Sequence, residues 1–136
     1  MWDWRAPPAA GAVLQHAHPH AIEAVCVLPG DAVLAIAGGT CITLWDTTAH
    51  RQVAQVHSHH KPITALALDG ARRRLLSGAL DHNVKVHSLS TYDVVHTMKF
   101  AQPVLSVAAT RDERCLAVGM ANGVLALRRR SGGGGA

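Results

Sequence analysis

The sequence HHKPITALALDGARRRLLSGALDHNVKVHS, residues 59–88, contains three short apolar segments separated by turn residues. The first segment, 63–68, alternates with a period of two, which predicts a strand with Ile63, Ala65 and Ala67 on one face. Two further segments follow at 75–78 and 84–87, after residue types that favour tight turns. Three strands joined by two turns predict an antiparallel β-meander.

The composition indicates one folded domain without a membrane-spanning segment. The chain has 136 residues, of which 49% are hydrophobic and 16% charged, which argues against intrinsic disorder. Its formal net charge of +4 permits an acidic or nucleic-acid partner without requiring one. No apolar run reaches about 18 residues, and the N-terminus lacks a basic region before an apolar core. We therefore expect neither a transmembrane helix nor a secretory signal.

The three cysteines, Cys26, Cys41 and Cys115, lie in apolar, strand-like segments. Their number is odd and no CxxC pair is present. We expect buried, reduced thiols of an intracellular protein rather than a disulfide framework or a zinc site.

The meander recurs along the chain with a period of 41 residues. Corresponding first strands begin at Ile22, Ile63 and Val104. Second strands are expected from Leu34, Leu75 and Leu116, and third strands from Ile42, Val84 and Val124. Segments 52–57 and 94–99 add a linking strand, which gives four strands per period. Residues 1–3 and 12–15 fit the end of one further unit.

This period, the four strands and the Trp45-Asp46 dipeptide that closes a third strand resemble the WD40 repeat. His18 and His59 stand four residues before their first strands, as the histidine of that family's Gly-His signature does. Asp81 matches the aspartate of its turn. The resemblance implies an all-β protein made of WD40-type propeller blades.

We expect residues 1–130 to form part of a WD40 propeller, with about three four-stranded antiparallel blades, and residues 131–136 to form a flexible Gly-rich tail. The strand blocks of the units lie near 22–46, 63–88 and 104–128. A closed ring of this family usually has about seven blades. Three periods therefore predict an incomplete propeller, with exposed edges that favour marginal stability or self-association.

His59, Ser77 and Asp81 have the residue types of a Ser-His-Asp catalytic triad. No GxSxG elbow or oxyanion loop accompanies Ser77. The WD40 resemblance instead implies a buried hydrogen-bonded network, and His87 stands where a tryptophan would complete it in the middle unit. We expect the structural network positions to be His59, Ser77, Asp81, Trp45 and His18. Phosphate-loop, HExxH and dinucleotide motifs are absent from the sequence, so we expect no enzyme, cofactor or small-molecule substrate.

Two histidine clusters suggest an alternative, a metal-binding module. The clusters are His16, His18 and His20, and His57, His59 and His60. Alternate residues of a strand share a face, so the first cluster could present its imidazoles to zinc or copper. The repeat already explains His18 and His59, however, and Pro19 interrupts a strand. We therefore expect no metal site.

Two basic runs suggest contacts with RNA phosphates. They are Arg72, Arg73 and Arg74 at a turn, and Arg128, Arg129 and Arg130 after the last strand. Either run could bind phosphate by charge alone, without base specificity. A solvated rim is the simpler interpretation, because few aromatic residues accompany the arginines.

Three sequence segments resemble one family within the WD40 class, the U3 small nucleolar RNA-associated protein 15 family. They are AGGTCITLWD (37–46), LLSGALDHNVKVHS (75–88) and LAVGMANGVLALRRR (116–130). The resemblance implies a nucleolar and nuclear scaffold for small-subunit processome assembly, pre-rRNA processing toward 18S rRNA and rDNA transcription. Its implied partners are other processome WD40 and helical proteins, and pre-rRNA and the U3 snoRNP indirectly or through the basic rim, without a membrane. The main alternative is a generic WD40 protein–protein interaction adaptor.

Overall fold

The computed structural model describes residues 18–30, 32–69, 74–110 and 115–129, which form three antiparallel β-sheets. Blade 1 contains β1 (Ile22–Val27), β2 (Val33–Gly38), β3 (Cys41–Asp46) and β4 (Arg51–His57). Blade 2 contains β5 (Ile63–Leu68), β6 (Arg74–Ala79), β7 (Asn83–Ser88) and β8 (Val94–Lys99). Blade 3 contains β9 (Val104–Ala109), β10 (Cys115–Met120) and β11 (Leu125–Arg129). Within each sheet the strands lie side by side in chain order.

This architecture confirms the prediction of an all-β, incomplete propeller. The three blades begin at Ile22, Ile63 and Val104, with the spacing of 41 residues seen in the sequence. The expected strand at 12–15, residues 1–3 and the tail at 131–136 lie outside the described residues. Nowhere in the described ranges is there a helix with the length and apolar character needed to cross a bilayer.

The three cysteines lie in strands and are not joined in disulfide bonds. Cys41 is buried in β3, whereas Cys26 and Cys115 are half-buried. The expectation of complete burial is therefore met only by Cys41, which lies in the middle of its sheet.

A β-bulge interrupts the pairing of the first strand with the second strand in each blade. The register shifts after Ile22 in β1, after Ile63 in β5 and next to Val104 in β9. The prediction that Ile63 shares a face with Ala65 is therefore wrong. The extra residue reverses which face of the sheet the following side chains occupy. The side chains of Ile63 and Leu66 therefore lie on the same face and pack in the core against blade 1.

The third strand of blade 3 begins one residue later than the sequence pattern indicated. β11 pairs Leu125 with Gly119, so the block expected from Val124 starts at Leu125. A shift of one residue exchanges the two faces of a strand. Ala126 consequently packs against blade 2, while Leu125 and Leu127 are exposed.

The blades pack face to face, with an apolar core in each of the two interfaces. The core of blades 1 and 2 contains Leu28, Ala35, Ala37, Ile42, Leu44, Ile63, Leu75 and Ala79. The core of blades 2 and 3 contains Val84, Val104, Val118 and Met120. We call the side of a blade toward the following blade its front face and the opposite side its back face. In blade 2 the front face holds Gly78, Val84 and Val86, and the back face holds Ile63, Leu66 and Leu75.

The contact between blades 2 and 3 depends on a glycine. A Cβ atom on Gly78 would lie 2.7 Å from Val104 Cγ1 and 2.8 Å from Val107 Cγ2. These distances are too short for any side chain, so only glycine lets the two valines approach the front face of blade 2. Beside them, Thr64 Oγ1 donates a hydrogen bond of 2.5 Å to the Val104 carbonyl of blade 3. Close apolar packing and a polar link therefore fix this interface.

Candidate functional site

The middle blade brings His59, Ser77 and Asp81 into one hydrogen-bonded chain. His59 lies in the segment between β4 and β5, Ser77 in β6, and Asp81 in the turn between β6 and β7. His59 Nδ1 is 3.0 Å from Asp81 Oδ2, and His59 Nε2 is 2.7 Å from Ser77 Oγ. The backbone N–H groups of His60 and Asn83 donate to the same carboxylate, which closes the turn over the network.

His87 of β7 is the fourth member of the network, because its Nε2 is 2.9 Å from Ser77 Oγ. The carboxylate of Asp81 can only accept, so His59 donates through Nδ1 and accepts through Nε2. Ser77 then donates to His59 and accepts from the Nε2–H of His87. The imidazole thus supplies the N–H donor that an indole would supply at this position.

Burial sets the protonation of both imidazoles in the network. Desolvation lowers the pKa of His59, and the neighbouring Asp81 opposes this shift without reversing it. Desolvation lowers the pKa of His87 to about 4. The backbone of Tyr92 only partly offsets that shift, and among the described residues Nδ1 of His87 has no partner with hydrogen-bond geometry. Burial acts to raise the pKa of Asp81. The hydrogen bond from the backbone of His60 and the charge interaction with His59 outweigh this effect, so the net result is a lowered pKa. Near neutral pH the network therefore contains two neutral histidines and one carboxylate.

The order Asp81–His59–Ser77 is that of a catalytic triad, but its surroundings differ from those of an active site. Ser77 is 0% exposed, and its hydroxyl is already bonded to two imidazoles. A nucleophile must approach a substrate carbonyl beside oxyanion donors. With Ser77 buried between two imidazoles, the arrangement can satisfy polar groups inside a blade and lock the β6–β7 turn, but it presents no nucleophile to solvent.

In blade 1 the corresponding site uses different partners. Ile36 of β2 stands where Ser77 stands in blade 2, and the β2–β3 turn is too short to supply a counterpart of Asp81. His18 instead places Nε2 3.2 Å from Thr43 Oγ1. Thr43 lies in the third strand of its blade, whereas Ser77 lies in the second strand of blade 2. Its Nδ1 accepts from the backbone N–H of His20. Trp45 is half-buried in β3, at the position that His87 has in β7.

In blade 3 a cation–π pair replaces the polar network. Val118 occupies the serine position and Phe100 the histidine position. Arg128, which pairs with Leu116 as His87 pairs with Leu75, holds its guanidinium carbon 4.7 Å from the Phe100 ring centroid. The same guanidinium donates to the backbone carbonyl of Lys99 at 3.1 Å. Arg128, predicted as a phosphate contact, is therefore engaged within the chain.

The other predicted arginines fall into two groups. Arg72, Arg73 and Arg130 lie outside the described residues. Arg74, the first residue of β6, and Arg129, the last residue of β11, are both exposed. Antiparallel pairing places them on the same rim of the stack, which we call the β5–β6 rim.

The described histidines do not assemble a metal site. Within the parts of the chain that the structure covers, no three His, Cys, Asp or Glu side chains are grouped so that they could hold a metal ion. His18 and His59 are used in the hydrogen bonds given above, and His16 lies outside the described residues.

Thr43 was missed as a partner by the sequence reasoning, and His87 was noticed only as a replaced tryptophan. The Thr43 hydroxyl is a weak signal in the sequence, because it can bond to His18 only if the histidine side chain reaches the third strand. His87 offers a stronger signal, since its ring carries an N–H donor at the position of an indole.

Comparison with known proteins agrees with this fold. The family described as WD domain, G-beta repeat (WD40) matches residues 51–88, which span β4 and the first three strands of blade 2. The WD40 repeats of RRP9 superpose with a TM-score of 0.77 at 16% identity, covering 84% of this chain and 37% of that chain. The Cps50 (Swd1) β-propeller domain of Myceliophteria thermophila gives a TM-score of 0.71 at 18% identity, covering 82% and 36%.

Three sequence relatives of this chain share one name. U3 small nucleolar RNA-associated protein 15 of Schizosaccharomyces pombe is 40% identical over 120 residues, 87% of this chain and 24% of that protein. The homologues of Homo sapiens and Gallus gallus are each 38% identical, over 87% and 86% of this chain. The chain spans less than a quarter of the length of these relatives, 23% and 22% for the latter two. The chain thus has a WD40-type propeller fold with a WD40 repeat match at residues 51–88, and over most of its length it is similar in sequence to proteins named U3 small nucleolar RNA-associated protein 15.

Proposed function

We propose that this chain is a non-enzymatic scaffold in assembly of the small-subunit processome. In this role it supports pre-rRNA processing toward 18S rRNA, and rDNA transcription, in the nucleolus. The observation that carries the proposal is the identity of 38 to 40% with proteins of this one name, over 86 to 87% of the chain. The buried serine of the triad-like network agrees with a role in binding rather than catalysis.

The proposed partners are other WD40 and helical proteins of the processome. Outer strands of a propeller present backbone groups and side chains that other proteins can bind. In this chain β4 and β8 are such outer strands, with Val53 and Val95 exposed on them. Pre-rRNA and the U3 snoRNP are reached through these proteins and through Arg74 and Arg129 on the β5–β6 rim.

A tagged copy of the chain in S. pombe cells tests the processome assignment. We expect it to accumulate in the nucleolus and to co-precipitate U3 snoRNA and pre-rRNA. An unrelated WD40 chain of equal expression is the control. Co-precipitation of unrelated client proteins without either RNA would instead favour a generic WD40 adaptor and would refute the ribosome-biogenesis proposal.

The RNA contact is tested separately, by the salt dependence of binding to single-stranded RNA. Arg74 and Arg129 lie on one rim, so the double variant R74Q/R129Q should reduce the slope of log K against log salt by about 1.4. K61Q is the matched control, because Lys61 is exposed on the opposite rim. Equal slopes for all three proteins would rule out phosphate contacts at the β5–β6 rim, without affecting the processome assignment.

A further inference from the structure

The network of His59, Ser77 and His87 contains fewer protons than it has places for them. Polar contacts run in series from Asp81 to His59, from His59 to Ser77 and from Ser77 to His87. When both imidazoles are neutral, His59, Ser77 and His87 each bring one proton, and these three protons fill the three contacts. Nδ1 of His87 is left as an acceptor without a hydrogen-bond partner among the described residues, in a residue that is 1% exposed. One further proton would therefore complete the network.

The imidazole of His87 allows the hydrogen bonds from His59 to His87 to run in the opposite direction. An indole N–H only donates, so a tryptophan at this position would fix the direction, whereas an imidazole accepts through Nε2 once its proton is on Nδ1. In the reversed arrangement Ser77 donates to Nε2 of His87, and the Nε2–H of His59 donates to Ser77 Oγ. The balance is one added proton: His59 becomes an imidazolium, and His87 stays neutral with its N–H on Nδ1. Each proton crosses a hydrogen bond that already exists, so no side chain has to rotate.

Charged neighbours decide which imidazole holds the added charge. The carboxylate of Asp81 lies 3.0 Å from Nδ1 of His59 and acts to raise the pKa of His59. Lys85 of β7, which pairs with Ser77, acts to lower the pKa of both imidazoles. A charge on His59 in turn acts to lower the pKa of His87. These groups favour a single imidazolium at His59 over one at His87.

The N–H that appears on Nδ1 of His87 meets the β7–β8 turn. The backbone of Tyr92 in this turn acts to raise the pKa of His87, as a carbonyl oxygen near an N–H does. Since the N–H of Tyr92 already donates to the Ser88 carbonyl, the carbonyl oxygen of Tyr92 is the group that accepts from Nδ1–H. Ser88 pairs with Arg74, so this turn lies on the β5–β6 rim, whereas the β6–β7 turn with Asp81 lies on the opposite rim. The network thus crosses blade 2 from rim to rim.

We propose that this network is a one-proton relay between the two rims of blade 2. A proton taken up at His59, beside Asp81, moves the N–H of His87 from Nε2 to Nδ1 and ties the β7–β8 turn to β7. The relay goes beyond the scaffold function, because it gives the β5–β6 rim, which carries Arg74, a state that depends on pH.

Nitrogen-15 NMR of the histidine-labelled chain reads the proton on each ring nitrogen and so tests the relay directly. As the pH falls from about 8 to about 4, His59 should gain its second N–H, and the N–H of His87 should move from Nε2 to Nδ1 at the same midpoint. Backbone amide signals of residues 88–93 should shift with them, while dispersed amide signals show that the chain is folded. A doubly protonated His87, a His87 that keeps its Nε2–H while His59 titrates, or a chain that unfolds before either change would overturn the proposal.

Two variants test whether the coupling runs through the network. H87W supplies a donor that cannot reverse, so protonated His59 would leave the Ser77 proton without an acceptor. The His59 midpoint should then fall by about one pH unit, roughly tenfold in proton affinity. S77A removes the link, so His87 should keep one tautomer while His59 titrates. H96Q, which changes an exposed histidine of β8, is the matched control and should behave like the wild-type chain. An unchanged His59 midpoint in H87W, or a tautomer change of His87 at the His59 midpoint in S77A, would refute the relay.

Discussion

Acidification should destabilise this protein through the buried imidazole of His87. Burial holds the pKa of His87 at about 4 in the folded chain, against an ordinary value of 6.5. In the unfolded chain His87 therefore becomes protonated below about pH 6.5, whereas in the folded chain it stays neutral down to about pH 4. Stability is complete above the unfolded pKa and is lost as the pH falls. Integrating this difference, His87 lowers the free energy of unfolding by about 2 kcal/mol between about pH 7 and pH 5.

Urea denaturation at a fixed protein concentration, followed by tryptophan fluorescence, measures this loss. H87Q keeps an N–H donor for Ser77 but does not titrate, so its unfolding free energy should fall about 2 kcal/mol less than that of the wild-type chain over the same range. The pKa of His59 is also lowered by burial, so some acid sensitivity will persist in H87Q. H96Q, which changes an exposed histidine of β8, serves as the control. Equal pH dependence of the wild-type chain and H87Q would refute the reasoning.

Three further substitutions test the interior of the stack by the same denaturation assay. S77A removes the hydroxyl between two imidazoles and should cost about 1–3 kcal/mol; a neutral result would mean that the network is not formed. G78V should cost about 1–3 kcal/mol or more, because its side chain would overlap the valines of blade 3, and an unchanged midpoint would contradict that close approach. R128A should lose about 0.5–1 kcal/mol of cation–π energy with Phe100, and R128K should recover part of it, whereas equal stability of R128A and the wild-type chain would argue against the pair.

The sequence was sufficient to predict the strands and the units, because both follow from local patterns. Alternation of apolar residues marks each strand, and a constant spacing of 41 residues marks each blade. The structure places His59, Ser77 and Asp81 in hydrogen-bond contact, and the resemblance to a repeat family supplied their relative positions in the sequence.

Other features were not predictable, since they depend on contacts between strands. The bulge after Ile63 places its side chain on the opposite face from the one that simple alternation predicts. An alternating apolar segment contains no signal for the position of a β-bulge. The start of β11 at Leu125 was missed because Val124 is equally apolar. The pairing of Arg128 with Phe100 was missed for a different reason: a basic run beside a glycine-rich tail resembles a solvated surface, and only the packing of blade 3 on blade 2 brings the two side chains together.

Blade 2 is the only one of the three described sheets with a neighbour on both sides, and it is also the one with the four-member network. Cooperativity in such a stack is transmitted from neighbour to neighbour, so the sheet with a described neighbour on each face is held most firmly of the three. Amide hydrogen exchange should consequently be slower in β5, β6 and β7 than in the corresponding strands of the other two sheets. Of the three described sheets, the central one should be the last to lose its structure.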